Sequence, residues 1–463
     1  MGKFREKSIA NIIRGITLLK SSSGRHLISE VLPLAESIVS ALRSRKEVTK
    51  ADYVGSLRRM KETVGDIDLI AASSNPTETI QTFVELVGGK VLAQGATKAT
   101  VVNRDHVQID LEILPAEEYG SLLQHFTGSK EHNVAFRSFL QSKGLSFSEH
   151  GIKKLKGGRW PLPAFEVTAA QKRALGAAKA GEIVKCADES DVYHFAGLSW
   201  LPPEMREDRG ELGLAQSHNL PHLVEASDIK GDLQMHTNRS DGTADLATMW
   251  QANRKLGHSY MAITDHSQGL GIAGGQDAHK VRTQLAEIRR FNGAHGAPIV
   301  LASIEVDIRA NGDVDMDENL LRELDIIVGS VHSSFSQARG TTTSRLIKAV
   351  NTGLIDILGH PTGRLLGRRD GIDADWDKVF RACIAKHVAL EINSFPDRLD
   401  LTDNLILEAK KLGAKFVVNT DAHSPEHLNF MPFGIATARR GWLEASDIIN
   451  TWPLAKLKSW LKR

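Results

Sequence analysis

Seven short apolar runs, at 231–235, 260–264, 299–305, 326–331, 355–359, 388–392 and 415–420, recur down the second half of the chain, with helical patterns between them. Runs this short, set between helical segments, read as buried strands. Strands that alternate with helices must run parallel, with the helices as outer crossovers, and the closed form of that arrangement is an α/β barrel. The count is one short of the common eight strands. Parallel barrels carry their chemistry at the C-terminal strand ends. Here the first run ends in Gln234-Met235-His236 and continues to Asp241, and the second ends in Asp265-His266. Glu305 closes the third, His332 and His360 follow the fourth and fifth, and the seventh ends in Asp421-Ala422-His423. Ligand-type residues at six of seven strand ends predict a polynuclear metal site. A lone histidine carries no such weight, and His258, His279, His295, His387 and His427, among 18 in the chain, are read as having no chemistry. Mixed imidazole and carboxylate donors suit Zn²⁺ or Mn²⁺, shared among two or three ions. Such clusters make hydroxide at neutral pH and clamp a phosphoester. Arg364, Arg368 and Arg369 are candidates for holding substrate phosphate, and a solvated basic loop accounts for them equally.

A second constellation precedes the barrel pattern. Gly55-Ser56-Leu57-Arg58-Arg59 is followed by Gly65-Asp66-Ile67-Asp68. Side chains alternate faces along a strand, so Asp66 and Asp68 point the same way. Neighbouring carboxylates repel unless a cation sits between them. Asp110 lies in the run 107–113, where Val107, Ile109, Leu111 and Ile113 take the other face, and a neighbouring strand can bring it beside the pair. Three oxygen ligands suit Mg²⁺ or Mn²⁺ rather than zinc. Two such ions activate a 3′-hydroxyl and stabilise a leaving pyrophosphate. The Gly55-Ser56 turn and Arg59 offer N–H groups and a guanidinium to phosphate. Asp-x-Asp alone usually marks a solvent-facing edge strand. The upstream turn, the basic run Arg58-Arg59-x-Lys61 and the third aspartate favour the metal reading.

The chain has 463 residues, a prior of about three domains at roughly 150 residues each. Its 41% apolar and 25% charged content excludes a mostly disordered chain, a collagen and a coiled-coil rod. No run approaches the ~20 apolar residues of a membrane span, and the first ten residues lack a signal-peptide pattern. Two cysteines, Cys186 and Cys383, with no CxxC, exclude a disulfide framework and a thiolate zinc finger. The expected location is the cytoplasm. Net charge is only +2, yet residues 1–60 carry 12 Lys/Arg against 5 Asp/Glu and residues 152–185 carry 8 against 2, so the remainder is acidic. This asymmetry fits a polyanion binder that also holds cations, or simply solvated helix faces. Periodicity predicts two helices within 5–46, one carrying Ile9, Ile12, Ile13, Ile16 and Leu19, the other Leu32, Leu34, Ile38, Val39 and Leu42. It predicts a small α/β unit over 52–115, with strands at 66–71, 99–102 and 107–113 and a helix near 77–87. Helix follows over 116–150, with Phe136, Phe139 and Leu140 on one face. Residues 151–230 read as an irregular, basic connector punctuated by proline. Gly269, Gly271 and Gly274 fit GxGxxG, but no acidic residue ends a following strand, so the segment reads as a flexible loop over the metal site rather than a dinucleotide site.

The stretch Gly55 to Asp68, with Asp110, resembles the palm of family X DNA polymerases. His125-Phe126-Thr127-Gly128-Ser129 is similar to that family's turn beside the incoming sugar, with His125 where vertebrate members carry tyrosine. The resemblance implies that Asp66, Asp68 and Asp110 are catalytic and hold Mg²⁺ or Mn²⁺. It implies that Gly55, Ser56 and Arg59 meet the triphosphate, and that Phe126, Gly128, Asn133 and Arg137 meet the nucleotide. Residues 229–430 resemble the PHP (polymerase and histidinol phosphatase) domain, which implies His236, Asp241, His266, Glu305, His332, His360, Asp421 and His423 as ligands of two or three Zn²⁺ or Mn²⁺. Gln234 stands where the PHP pattern usually has histidine. The implied fold class is α/β, a nucleotidyltransferase-type palm and thumb followed by a distorted seven-stranded (β/α)7 PHP barrel. The implied domains are a helical remnant of the fingers (1–50), palm (51–115), thumb and basic connector (116–228) and PHP domain (229–463). The family's Gly-rich helix-hairpin-helix turn is missing from residues 1–50, which leaves a genuine loss or a misplaced start codon open. The expected function is repair-type DNA polymerase with PHP-dependent 3′-5′ exonuclease or phosphoesterase activity. The alternative is a PHP phosphoesterase with an impaired polymerase core. Expected partners are DNA and dNTPs, and the expected form is a cytoplasmic, nucleoid-associated monomer.

Overall fold

The computed structural model describes residues 24–160, 168 and 175–461. The chain divides into two compact units, one ending at Leu220 and the other beginning at Pro221.

The first unit is built on a five-stranded sheet with the order Val48–Tyr53, Ile67–Ser73, Gln108–Leu114, Lys98–Val102, Lys90–Gln94. Ile67–Ser73 and Gln108–Leu114 pair in parallel and the other neighbours are antiparallel. In Gln108–Leu114, Ile109, Leu111 and Ile113 are buried while Asp110 and Glu112 are half-buried on the opposite face. That alternation assigns one face to the core and frees the other for chemistry. Helices Ile28–Arg43 and Pro76–Val87 pack on the sheet and on each other. The helix Ile28–Arg43 buries Ile28, Val31, Ala35, Ile38, Val39 and Leu42. This corrects the expected face, because Leu32 and Leu34 flank that stripe and are only half-buried. The expected helix through Ile9 to Leu19 lies outside the described residues.

The segment beyond residue 142 also departs from expectation. Helices Tyr119–Thr127 and Lys130–Ser142 end there, and a small antiparallel sheet follows, Leu145–Ser148 with Gly151–Lys154 and Ile183–Val184. Among the described residues, the expected connector is therefore a packed layer, with Phe136, Leu140, Phe147, Ile152, Val192 and Tyr193 in one core. Strands of two to four residues are too short for their alternation to register in sequence.

The second unit is the barrel. Gly231–Asp232, Tyr260–Ile263, Ile299–Asp307, Ile326–Ser330, Ile357–Leu358, Ala389–Asn393 and Phe416–Asn419 pair in chain order, all parallel. The ring closes through one bridge, Met235 with Ala422, where the His236 N–H donates to the Ala422 carbonyl at 2.8 Å. Helices lie between the strands, and Asp245, Asp277, Asp317 and Thr402 start four of them by accepting a first-turn N–H. Leu233, Tyr260, Leu301, Ile326, Ile357 and Val417 fill the interior, and the C-terminal segment plugs it from below with Ile449, Trp452 and Leu457. The glycine-rich loop forms a turn at Gly271–Ala273 and is pinned at its base, where the Gln276 N–H donates to the His266 carbonyl at 2.7 Å.

Candidate metal centre and nucleotide site

All eight barrel residues implied as ligands converge above the strands' C-terminal ends. Glu305 is central and fully enclosed. Its Oε2 lies 3.5 Å from His236 Nε2 and 3.1 Å from His266 Nδ1, and its Oε1 lies 3.3 Å from His332 Nε2 and 3.1 Å from His360 Nε2. Asp421 Oδ1 is 3.0 Å from His236 Nε2. Asp241, the most solvent-facing of the eight, stands 3.5 Å from His266 Nε2 and 3.4 Å from His423 Nε2. Donor atoms of His236, Asp241, His266 and His423, of His266, Glu305 and His332, and of His236, Glu305 and Asp421 form three groups, each within 4.8 Å.

The donor chemistry fits metal ions. Among the described residues, Nδ1 of His236, His266, His332 and His360, and Oε2 of Glu305, are buried without a hydrogen-bond partner. His266 Nδ1 and Glu305 Oε2 face each other at 3.1 Å and still form no hydrogen bond. A buried, unpaired nitrogen and carboxylate oxygen aimed at each other are what a cation satisfies. Protons take over some of that balance. Burial opposes it, but Glu305 and Asp307 push His332 up to about 9, and Asp241 and Asp421 push His423 up to about 9. Burial would raise Glu305, yet His266 and His332 hold it well below the usual carboxylate range. His236 is lowered by burial and by the charges of His423 and His266. Gln234 is buried with both amide atoms unpartnered.

The aspartates of the first unit also converge. Asp68 and Asp110 are register partners on adjoining parallel strands, and Asp66 directly precedes the strand Ile67–Ser73. Their oxygens lie within 4.8 Å. Burial, then the charges of Asp66 and Asp110, push Asp68 up to about 7, against the pull of Arg59. Asp110 is fixed by the Thr100 hydroxyl and by Gln108 Nε2 at 2.8 Å. Gly55 has φ +62°, and a Cβ there would meet Asp68 Oδ2 at 2.5 Å, so the close approach of turn and carboxylate requires glycine. A cavity of about 220 Å³ opens here, lined by Asp68, Thr100, Asp110 and Phe126.

A model of the DNA polymerase beta thumb matches residues 122–207, and one of the PHP domain matches residues 232–395. The DNA polymerase/3′-5′ exonuclease PolX of Bacillus subtilis is 35% identical over 463 aligned residues, covering 99% of this chain and 77% of that protein. The chain belongs to the family X DNA polymerases that carry a PHP domain. DNA polymerase lambda of Rattus norvegicus is 26% identical over 172 residues, 33% of this chain and 28% of its own length. A probable phosphatase of a Thermoanaerobacter species is 25% identical over 227 residues, 44% of this chain and 90% of its own length.

The other residues implied by the family X pattern fall into two groups. Ser56 lies in the one-turn helix Gly55–Arg58, and Arg59 follows it. Arg59 donates to the Thr127 carbonyl and lies 3.1 Å from Glu207, and a Cβ on Gly128 would come within 3.1 Å of its guanidinium. Phe126 reaches the aspartate cavity. Asn133 and Arg137 gather instead at His125: Asn133 Nδ2 donates to the His125 carbonyl at 2.7 Å, and Arg137 Nη2 lies 3.0 Å from His125 Nδ1. Burial and Arg137 lower His125, and because a guanidinium can only donate, His125 Nδ1 is the acceptor of that bond.

Several contributors escaped sequence reasoning. The sixth barrel strand carries none of the eight residues implied as ligands but supports two of them, with Asn393 Nδ2 donating to Asp421 Oδ2 at 3.1 Å and Glu391 accepting the His360 N–H at 2.7 Å. Burial and Asp421 raise Glu391 well above the usual range. Arg398 Nε approaches Asp421 Oδ2 to 3.8 Å. Arg364, by contrast, donates to the Arg398 and Leu399 carbonyls, Arg369 lies 3.7 Å over the Phe335 ring, and Arg368 is exposed near Asp397. Two of the three arginines thus brace the loop. In the first unit, Glu189 ties Arg58 to Arg206, with contacts of 2.6 Å to each. Only its residue type is visible in sequence, since its partner Arg58 is remote along the chain.

Proposed function

We infer that this chain is a DNA-directed DNA polymerase that also removes nucleotides from 3′ ends, with DNA and dNTPs as substrates. The observation that carries the reading is the presence of two separate donor sets of different chemistry, all-carboxylate in one unit and imidazole-rich in the other. Asp66, Asp68 and Asp110 would hold Mg²⁺ or Mn²⁺, and His236, Asp241, His266, Glu305, His332, His360, Asp421 and His423 would hold two or three Zn²⁺ or Mn²⁺. When bound, the ions supply Lewis acidity for nucleotidyl transfer at the first site and a hydroxide for phosphodiester hydrolysis at the second. The chain's own groups set the conditions. Asp68 releases its proton near neutrality, and Thr100 and Gln108 hold Asp110 in line. Gly55 and Ser56 present a turn, and Arg59 a guanidinium, to the triphosphate. Phe126 walls the aspartate cavity, and Gly128, Asn133 and Arg137 would meet the nucleotide by the family resemblance. In the barrel, each Glu305 oxygen faces two imidazoles, an arrangement suited to joining two ions, and Arg398 offers charge to a phosphate.

The test is one gel. A 5′-labelled primer, annealed open or across a one-nucleotide gap, is incubated with the protein and Mn²⁺, with and without dNTPs. Growth with dNTPs and shortening without them is the expected result. Shortening in both lanes would leave only the barrel's activity, and extension unaffected by Asp66→Ala or Asp110→Ala would remove the aspartates' role. Exonuclease activity that survives His236→Ala with Asp421→Ala would remove the barrel's.

A further inference from the structure

A second cavity, of about 740 Å³, lies at the opposite end of the barrel from the metal-ligand cluster, where the strands begin rather than end. Lys386 and His387 lead into the strand Ala389–Asn393, Arg322 precedes Ile326–Ser330, and Trp452, Lys456 and Trp460 come from the C-terminal plug. Among the described residues, the one carboxylate on the wall, Asp356, accepts from the Ile327 N–H at 2.8 Å. Among the described residues, Lys386 and Lys456 have no carboxylate partner, whereas Arg322 pairs with Glu318 at 2.6 Å. The Lys456 ammonium lies 4.1 Å from the Trp452 ring centroid. The Trp452 indole N–H is buried and has no hydrogen-bond partner. Trp460 meets Trp452 edge to face at 6.2 Å and is itself half-buried, which leaves ring surface toward the cavity.

Two ammonium groups without a carboxylate partner call for an anion with several acceptor oxygens. A partly bare indole beside them calls for a flat aromatic partner, and cations with stacking rings are the combination that holds bases and their phosphates. The volume is in the range of small-molecule sites. We propose that this cavity binds a nucleoside 5′-monophosphate, free or as the 5′-phosphorylated end of a single strand, with phosphate at Lys386 and Lys456 and base at Trp460. The site is independent of both metal clusters.

The test is isothermal titration of the full chain in EDTA, so that neither metal cluster is loaded, with dAMP, deoxyadenosine, inorganic phosphate and a 5′-phosphorylated dinucleotide. Expected are saturable one-to-one dAMP binding, a loss of about tenfold or more in affinity in Lys386→Ala/Lys456→Ala and in Trp460→Ala, and weaker binding of deoxyadenosine and phosphate. Exonuclease activity of the lysine variant remains that of the parent, which shows that the variant is folded. A dinucleotide that binds more tightly than dAMP assigns the site to strand ends, and the reverse assigns it to free nucleotide. Absence of saturable dAMP binding, or binding unchanged by the lysine substitutions, overturns the proposal. So does phosphate that binds as tightly as dAMP and is indifferent to Trp460→Ala.

Discussion

Glu305 has two oxygens and four imidazoles around them. Glu305→Gln keeps the shape and removes the charge. Its expected effect is a fall in exonuclease rate of about 100-fold or more, with primer extension changed less than about twofold, read in single-turnover assays on the same labelled primer. Gly55 poses the opposite problem, since a single added carbon displaces the Asp68 carboxylate. Gly55→Ala is expected to cut extension by about 100-fold through misplacement, with exonuclease activity intact. Asp68 also sets a pH dependence. Its value in the folded, metal-free protein is raised to about 7, above that of the unfolded chain. Between about pH 4 and 7 the folded state therefore holds a proton the unfolded state has released, and this contribution to stability declines as pH rises through that window. Loading an ion requires that proton to leave, so Mn²⁺ affinity at the aspartates is expected to climb toward pH 7 and flatten above it. Titration calorimetry in buffers of different ionisation enthalpy, with the barrel cluster disabled by His236→Ala and Asp421→Ala, would count one proton released at pH 6 and almost none at pH 8.5.

At the scale of elements, the join between the sheet and the layer that follows it rests on Glu189. Burial would raise this carboxyl, but Arg206 and Arg58 hold it far below its ordinary range. Glu189→Ala leaves the fully buried Arg206 without its anion and is expected to cost about 3–5 kcal/mol, measured as a lowered urea midpoint of the first unit. The legibility of the elements follows from their length and pattern. Seven barrel strands were readable because apolar runs separated by helices recur seven times, even where hydrogen bonding extends over only two residues, as at Ile357–Leu358. Asp110 was readable because Ile109, Leu111 and Ile113 alternate with it. The layer around Leu145–Ser148 and Ile183–Val184 was not, since two to four residues show no period and their pairing is non-local. Glu189, Asn393 and Arg398 were invisible for a related reason, because their roles lie in what the fold brings against them and each sits in an unremarkable local pattern.

At the scale of the molecule, each unit has its own core and its own donor set. Heat is therefore expected to unfold the chain in two calorimetric transitions. Ions of the barrel cluster at about 100 times their Kd should stabilise only the barrel's transition, by about 2.7 kcal/mol for each ion held, and chelation should reverse that shift alone. A single merged transition that moves as one would show that the units do not melt separately. The barrel's closure adds a consequence. Its first and last strands meet at one bridge, Met235 with Ala422, and the residues on either side of that bridge, His236, Asp421 and His423, are all in the cluster. Ions held by these residues would act as a clasp on the seam. Metal-starved protein should unzip there before anywhere else in the ring, seen as faster amide exchange at His236. The two strand edges thus freed are templates for other chains, so loss of metal should appear as clumping as well as silence.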